Sequence, residues 1–124
     1  MAKILIIDDD ATMTKLLTAL VKMDGHTATA VNDSTKAVEI AASDEPDLIT
    51  LDLMMPGLSG FELCEILHQD PRFAAIPIII VSARDDSESK LRALRAGAIA
   101  YMIKPFDADE FIQKIQELTS KRSL

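Results

Sequence analysis

The sequence is poor in basic residues and contains no long apolar run. Its 13 lysines and arginines are outnumbered by 20 aspartates and glutamates, which gives a net charge of −7. Nucleic acids and anionic membranes attract proteins through basic patches, so we expect no direct binding to either. No apolar stretch approaches the roughly 18 residues that a membrane-spanning helix needs, and the opening residues lack the pattern of a secretory signal.

Cysteine is also nearly absent, and this limits the cellular setting. Cys64 is the only cysteine, so no internal disulfide can form and a reducing compartment is the simplest setting. We therefore expect a cytoplasmic protein. The 124 residues suit one compact domain over 1–124 and leave no room for a second, output domain.

Five short apolar runs alternate with segments of helical period. The predicted strands are residues 4–7, 27–31, 48–51, 76–81 and 99–103. Each is followed by a helical pattern after a short connection, and crossovers between parallel strands are right-handed. The sequence therefore predicts a doubly wound α/β domain, a five-stranded parallel sheet with helices on both faces.

The predicted helices have recognisable starts, ends and inward stripes. Asp10 is expected to cap the first helix, Ser34 the second, and Ser59 with Glu62 forms a capping box for the third. The expected core residues are Met13, Leu16, Leu17, Leu20 and Val21 in the first helix, Leu91 and Leu94 in the fourth, and Phe111, Ile115 and Leu118 in the fifth. Cys64 is expected in the core, whereas His26 and His68 are expected at the surface.

Polar residues cluster where the predicted strands end. Asp8, Asp9 and Asp10 follow the first strand, and Asp52 ends the third. In doubly wound sheets this edge binds ligands. Carboxylates brought close together repel one another, by ~1 to 4 kcal/mol per pair, so a cation is needed to keep them ionised. Oxygen ligands select a hard ion, so we expect Mg²⁺, with Mn²⁺ as the alternative.

Two further residues at this edge suggest a phosphoryl group. Ser82 follows the fourth strand and Lys104 the fifth, and neither is useful to a purely structural metal site. A lysine and a metal together can neutralise phosphoryl oxygens while one carboxylate acts as the nucleophile and forms an acyl phosphate.

The motifs around these residues resemble those of response-regulator receiver domains. They are Ile-Leu-Ile-Ile-Asp-Asp at 4–9, Asp-Leu-Ile-Thr-Leu-Asp-Leu-Met-Met-Pro-Gly-Leu-Ser-Gly at 47–60, Val-Ser-Ala at 81–83 and Tyr-Met-Ile-Lys-Pro-Phe at 101–106. Their order and spacing match over essentially the whole chain. The resemblance implies a flavodoxin-like strand order, 2-1-3-4-5.

The resemblance also implies a role for each residue. Asp52 would be the phosphoacceptor, and Asp8 and Asp9 the acidic pair, with Asp9 the closer metal ligand. Met54 would contribute its backbone carbonyl to the metal. The remaining implied roles are phosphoryl contact by Ser82, phosphoryl pairing by Lys104, an aromatic switch at Tyr101 and a cis peptide bond between Lys104 and Pro105.

The partners implied by the resemblance are a sensor histidine kinase or a histidine phosphotransfer protein as donor, and an effector as target. The effector, or a second copy of this domain, would bind the surface of the fourth helix, fifth strand and fifth helix when Asp52 is phosphorylated. The only expected activities are self-phosphorylation and self-dephosphorylation. In winged-helix regulators of this family the fifth strand begins with acidic residues that make dimer salt bridges. Ile99 and Ala100 stand there instead, which disfavours that dimer.

Three other functions fit parts of the pattern. A haloacid-dehalogenase-type enzyme needs a second aspartate two residues after the nucleophile, where this chain has Met54. A flavodoxin-like binder needs a Ser/Thr/Gly-rich phosphate loop after the first strand, where three aspartates would repel the phosphate. A receiver-like docking module that no longer takes phosphate would not need the complete set of aspartates, Ser82 and Lys104.

Overall fold

The computed structural model describes the backbone of residues 1–123 and the side chains of residues 1–120. Five strands alternate with five helices. In chain order these are β1 (Lys3–Ile7), α1 (Ala11–Met23), β2 (Thr27–Val31), α2 (Ala37–Asp44), β3 (Leu48–Leu51), α3 (Gly60–Gln69), β4 (Ile78–Ser82), α4 (Ser87–Ala96), β5 (Ala100–Ile103) and α5 (Ala108–Ser123). A single 3₁₀ turn over Ser34–Lys36 precedes α2.

All five strands are parallel and lie in the order β2-β1-β3-β4-β5, so the predicted doubly wound class and strand order are confirmed. The order reverses between β1 and β3, where the register pairs Ile7 with Leu51. The residue after each of these, Asp8 and Asp52, therefore lies at the reversal point. At the same end of the strands, Ser82 of β4 pairs with Ile103 of β5, which places Lys104 next to the end of β4.

The three central strands β1, β3 and β4 bury both of their faces, whereas the edge strands β2 and β5 are only partly buried. Alternate residues of the central strands enter two separate cores. Leu5, Ile7 and Leu51 pack against α2, α3 and α4, whereas Ile4, Ile6 and Val81 pack against α1 and α5. Strands covered on both faces read as continuous apolar runs, and this explains why the strand predictions were close to the observed bounds. The predicted core residues Phe111, Ile115 and Leu118 of α5 are buried.

Two strands begin later than predicted. β4 starts at Ile78 because Pro77 has no N–H to donate to the sheet, although its carbonyl accepts from Ile49 N–H at 3.0 Å. β5 starts at Ala100, and Ile99 precedes it with 53% of its surface exposed. Apolar character alone did not reveal either boundary.

The predicted inward stripe of α4 was wrong. Leu91 and Leu94 are each 50% exposed, and the residues facing the core are Ser89, Ala93 and Ala96. Small inward side chains let α4 lie close to the sheet, so its large apolar residues point away from it. Leu16 in α1 was also predicted in the core and is 47% exposed.

The structure confirms most caps and corrects one. Asp10 accepts hydrogen bonds from the N–H groups of Thr12 and Met13 at the start of α1, and the Ser59–Glu62 capping box is present. Ser34 does not cap the second helical segment. Asp33 caps the 3₁₀ turn, and the Ser34 hydroxyl is buried against the loop after β3, where it donates to Pro56 O at 3.2 Å and accepts from Leu58 N–H at 3.2 Å.

Cys64 is buried, as predicted, and His68 is exposed. The prediction of a surface position was wrong for His26, whose side chain is 9% exposed. Its Nδ1 accepts from Ala2 N–H at 3.0 Å, and its Nε2 lies 2.8 Å from an oxygen of Asp24. The two-residue spacing of His26 and Asp24 gave no sign of this pair. Within residues 1–123, no helix combines the length and apolar character needed to cross a membrane.

Candidate functional site

Three carboxylates meet at the reversal point of the sheet. The backbone N–H of Asp8 donates to Val31 O at 3.1 Å and that of Asp52 donates to Ile7 O at 3.0 Å, so hydrogen bonds between strands fix both positions. One carboxylate oxygen from each of Asp8, Asp9 and Asp52 lies within 4.8 Å of the others. The residues that the sequence grouped at this edge are therefore close enough to share one cation.

Burial at this site disfavours the ionised form of Asp52. Asp8 and Asp52 are 2% and 6% exposed, whereas Asp9 is open to solvent. Burial, followed by the negative charge of Asp8, raises the pKa of Asp52 to about 6, although Lys104 and the N–H of Met54 act to lower it. Asp52 is therefore mainly ionised at neutral pH. Its ionisation is less favourable than that of an exposed aspartate, and a bound cation would offset this difference.

Lys104 provides the positive charge of the site. Its ammonium donates to Asp8 Oδ2 at 2.8 Å and lies 3.6 Å from Asp52 Oδ1. Burial acts to lower the pKa of Lys104, but the hydrogen bond to Asp8 and the charge of Asp52 outweigh it, so the pKa is raised. The backbone N–H of Lys104 donates to Ser82 O at 2.8 Å, and the bond to Pro105 is cis, as the resemblance implies.

Asn32 also supports the site, and the sequence analysis did not identify it. Its side-chain amide donates to Asp8 O at 2.8 Å and to Thr14 Oγ1 at 3.1 Å, while Asp8 Oδ1 accepts from Asp10 N–H at 2.9 Å. Asn32 thus ties the end of β1 to α1. Its position directly after β2, at the same edge as the aspartates, was the signal that could have identified it.

Gly60 is the second residue that the sequence analysis missed. A Cβ atom at this position would collide with the backbone carbonyl of Asp52 and lie 2.5 Å from Leu53 Cα. The N–H of Gly60 also donates to Leu53 O at 3.0 Å. The start of α3 therefore packs directly on the backbone that carries Asp52, and only glycine fits this approach.

Ser82 and Tyr101 are linked through the loop after β4. The Ser82 side chain is fully buried, and its hydroxyl accepts from Arg84 N–H at 3.2 Å. Tyr101 is partly buried and donates its hydroxyl to Arg84 O at 2.7 Å. Burial is the main cause of the raised pKa of Tyr101, while a hydrogen bond with Ser82 acts to lower it. The hydroxyl of Tyr101 is therefore bonded to the backbone of this loop.

Two side chains lie at the solvent side of the pocket. Met54 is 56% exposed, and its sulfur lies 3.8 Å from an Arg84 guanidinium nitrogen. Met54 lies two residues after Asp52 in the chain, and Arg84 lies two residues after Ser82. Their contact bridges the loops after β3 and β4 above the buried carboxylates.

Comparison with known proteins identifies the family. The sequence model of the response regulator receiver domain matches residues 4–116. The chain belongs to this family. This receiver domain is 36% identical over 118 residues to the transcriptional regulator RpaA of Synechocystis, covering 95% of this chain and 49% of RpaA. It is 36% identical over 115 residues to the protein PilH of Pseudomonas aeruginosa, covering 93% of this chain and 95% of PilH.

A solved structure agrees with these sequence relatives. The receiver domain of the Francisella response regulator 1452 superposes with a TM-score of 0.90 at 31% identity, covering 98% of this chain and 99% of the other. The receiver domain described here spans about half the length of RpaA, which is a DNA-binding regulator. Receiver domains are the phosphoacceptor switches of two-component signalling and bind Mg²⁺ in an acidic pocket.

Proposed function

We propose that residues 1–124 form one receiver domain in which Asp52 accepts a phosphoryl group from the phosphohistidine of a histidine kinase or a histidine phosphotransfer protein. The observation that carries this proposal is the meeting of the Asp8, Asp9 and Asp52 carboxylates within 4.8 Å, with the Lys104 ammonium 3.6 Å from Asp52. Family membership supports the phosphorelay, and this geometry singles out the residues.

The transfer is a nucleophilic displacement at phosphorus. A carboxylate oxygen of Asp52 forms the new O–P bond, the P–N bond to the donor imidazole breaks, and the imidazole leaves with its electron pair. Lys104 pairs with a phosphoryl oxygen, since its ammonium lies between Asp8 and Asp52 and can move from one to the other. The Ser82 hydroxyl contacts a second phosphoryl oxygen. Asp52 is both substrate and product of this reaction, so the domain is a switch and not an enzyme acting on other molecules.

The metal ligands in this proposal are Asp8, Asp9, Asp52 and the backbone carbonyl of Met54. These four groups all offer oxygen atoms, which are the ligands that Mg²⁺ and the alternative, Mn²⁺, prefer. Both ions keep water in their remaining coordination positions, and a site with one exposed carboxylate leaves room for that water. When bound, the ion would supply positive charge that offsets the charge of the phosphoryl oxygens. Asp9 is the exposed member of the cluster, so its carboxylate is open to an ion that arrives from solvent.

Labelling with acetyl phosphate tests the proposal. We expect one phosphoryl group per chain in the presence of Mg²⁺ and none in EDTA, measured by intact mass. Asp9→Ala should remove most labelling because it deletes a metal ligand. Asp10→Ala is the matched control, since it removes the adjacent carboxylate, which caps α1, and should cost about 1 kcal/mol of stability without loss of labelling. Equal labelling of the two variants would refute the proposed metal site.

Met54 and Arg84 are expected to govern the lifetime of the phosphoryl group. Hydrolysis needs an in-line water, and these two side chains cover the approach through their mutual contact at 3.8 Å. Met54→Ala and Arg84→Ala should each speed dephosphorylation by up to about tenfold, roughly 1.4 kcal/mol in the barrier. Loss of phosphoryl after removal of the donor measures this rate. If labelling and dephosphorylation change by the same factor, the two residues control donor access instead.

We further propose that phosphorylation acts on the face formed by α4, β5 and α5. A phosphoryl group near Ser82 would draw its hydroxyl away from Arg84 N–H and release the loop after β4, to which Tyr101 is bonded. Coupling of ~1 to 3 kcal/mol is typical of such links. Effector proteins would read the resulting change at this face, and a second copy of the domain is the alternative partner.

The switching proposal predicts chemical-shift changes on addition of beryllofluoride and Mg²⁺. Residues 87–106 should shift together with the metal pocket. Tyr101 is the only tyrosine, and the chain has no tryptophan, so tyrosine fluorescence reports on this side chain alone and should change in the same titration. Shifts confined to the pocket, with residues 87–106 unchanged, would rule out this route.

A further inference from the structure

The loop between β3 and α3 carries the Met54 carbonyl, one of the proposed metal ligands. The two ends of this loop are joined, because Gly60 N–H donates to Leu53 O at 3.0 Å. Leu53 and Met55, on either side of Met54, are 1% and 9% exposed and anchor this half of the loop in the core. Residues 56–58 form the far half of the loop, and they need a separate attachment.

A buried serine of the 3₁₀ turn after β2 attaches this far half. The Ser34 hydroxyl donates to Pro56 O at 3.2 Å and accepts from Leu58 N–H at 3.2 Å. Gly57 lies between them with a φ of +81°, and a Cβ atom there would lie 3.3 Å from Thr35 Cγ2. Because Ser34 is 2% exposed, loss of its hydroxyl would leave two backbone groups without their partner. One hydroxyl therefore holds the loop on both sides of Gly57.

The same stretch of chain also holds the loop between β1 and α1. Asn32 lies two residues before Ser34, and its side-chain amide donates to Asp8 O at 2.8 Å. The amide also donates to Thr14 Oγ1 at 3.1 Å, at the other end of that loop. Both loops that carry proposed metal ligands are therefore attached to residues 32–34.

A stiff link between the two loops opposes the repulsion between their carboxylates. Burial, and after it the charge of Asp8, raises the pKa of Asp52, and the repulsion between the two charges tends to separate the loops. The link is stiff because Asp33 accepts hydrogen bonds from the N–H and the hydroxyl of Thr35, at 3.0 Å and 2.7 Å, and so caps the 3₁₀ turn. It can therefore hold the ligands at a fixed spacing before an ion arrives.

We propose that residues 32–34 form a loop clamp that presets the spacing of the metal ligands and so favours Mg²⁺ over larger cations. Ser34 and Asn32 are its positioning residues. Ser34 acts through the loop that carries Met54, and Asn32 acts through the loop that carries Asp8. Mg²⁺ demands near-ideal octahedral geometry, whereas Ca²⁺ accepts a flexible one, so a fixed spacing selects the smaller ion. The inference rests on the proposed metal site and adds the residues that set its affinity and selectivity.

Titration of the full chain with Mg²⁺ and with Ca²⁺ tests the loop clamp, with binding followed by the chemical shifts of the Leu53 and Met54 amides. Ser34→Ala should weaken Mg²⁺ binding about tenfold, the usual cost of losing a group that supports a metal ligand. Ca²⁺ binding should fall by no more than about twofold, because its coordination tolerates a displaced ligand. Asn32→Ala should show the same difference between the two ions.

Two further variants separate positioning from a loss of stability. Thr119→Val is the matched control, since it removes another buried hydroxyl, which donates to Ile115 O at 2.7 Å within α5. It should lower the urea midpoint in EDTA, as Ser34→Ala should, but leave Mg²⁺ binding unchanged. Gly57→Ala disturbs the clamp in a second way, because alanine is strained at positive φ, and it should weaken Mg²⁺ binding more than Ca²⁺ binding.

The failure of this proposal can be separated from failure of the proposed function. If the wild type binds Mg²⁺ and is labelled by acetyl phosphate, but Ser34→Ala and Gly57→Ala bind Mg²⁺ as the wild type does, the loop clamp alone is refuted. Equal losses of Mg²⁺ and Ca²⁺ affinity, or a loss of the same size in Thr119→Val, would also overturn it. A wild type whose amide shifts do not respond to Mg²⁺ would refute the proposed metal site together with the clamp.

Discussion

Replacing Asp52 with asparagine is expected to reduce labelling by acetyl phosphate at least about 100-fold, which corresponds to about 2.7 kcal/mol in the barrier. The substitution keeps the shape of the side chain but replaces a carboxylate with a neutral amide, which is a far weaker nucleophile and a weaker metal ligand. It also leaves the Lys104–Asp8 ion pair, at 2.8 Å, in place. Intact mass after incubation with donor and Mg²⁺ measures the effect.

Asp33→Asn is the matched control for this experiment. Asp33 follows β2 and caps the 3₁₀ turn, and asparagine can take over that cap. The control therefore removes one negative charge from the same edge of the sheet without touching the carboxylate cluster, and labelling should stay within about twofold of the wild type, since an exposed charge is screened by solvent and salt. Labelling of Asp52→Asn at the wild-type rate would refute Asp52 as the acceptor.

The position of the site could be predicted from the sequence because the chain repeats a simple cycle of strand and helix. Apolar runs located the strands, and parallel strands bring their carboxyl ends to one edge. Asp8, Asp52 and Lys104 were grouped on that basis, and the structure brings their side chains within ion-pair distance. Their functional roles stay predictions until labelling tests them.

The residues that the sequence did not reveal act through neighbours that are distant in the chain. Asn32 reaches the backbone of Asp8 across 24 residues, and an isolated asparagine after a strand reads as an ordinary turn residue. Gly60 is needed because α3 begins against the backbone of Asp52. Such close approaches depend on the path of a loop, which residue patterns do not specify.

The error in α4 has a different origin. Leucines three residues apart predict an inward stripe when only large apolar residues are counted. In this helix the buried stripe consists of Ser89, Ala93 and Ala96, because small residues allow a close approach to the sheet. The large residues were assigned to the wrong face, and their exposure is what makes the outer surface of α4 a candidate for docking.

The last prediction concerns the stability of the metal-free protein as a function of pH. Burial and the charge of Asp8 raise the pKa of Asp52 in the folded state to about 6, whereas an unfolded aspartate has a pKa of about 3.9. A carboxyl group whose pKa is raised by folding contributes fully to stability when the pH is below its unfolded-state pKa. This contribution is lost as the pH rises through its folded-state pKa. The wild type should therefore lose about 2 to 3 kcal/mol of unfolding free energy between about pH 4 and pH 7 through Asp52.

Asp52→Asn should escape this loss because its amide does not ionise. In EDTA the variant should exceed the wild type by about 2 to 3 kcal/mol at pH 7.5, and the difference should close towards pH 4. Urea unfolding followed by circular dichroism measures it, since the chain has no tryptophan. Addition of Mg²⁺ should narrow the gap, because an ion that binds only the folded state stabilises it by RT ln(1 + [L]/Kd), and the variant, with a weaker ligand at position 52, binds the ion less tightly.

The stability of the control variant Asp33→Asn, relative to the wild type, should change with pH in the opposite direction. The side chain and backbone of Thr35 donate hydrogen bonds that lower the pKa of Asp33, so the charged form of Asp33 is favoured in the folded state. Asp33→Asn should therefore lose stability relative to the wild type as the pH rises from 3 towards 5, whereas Asp52→Asn gains. If Asp52→Asn raised the unfolding free energy by the same amount at pH 4 as at pH 7.5, the buried charge of Asp52 would not be the cause of the increase. The increase would then have to come from packing or from the denatured state.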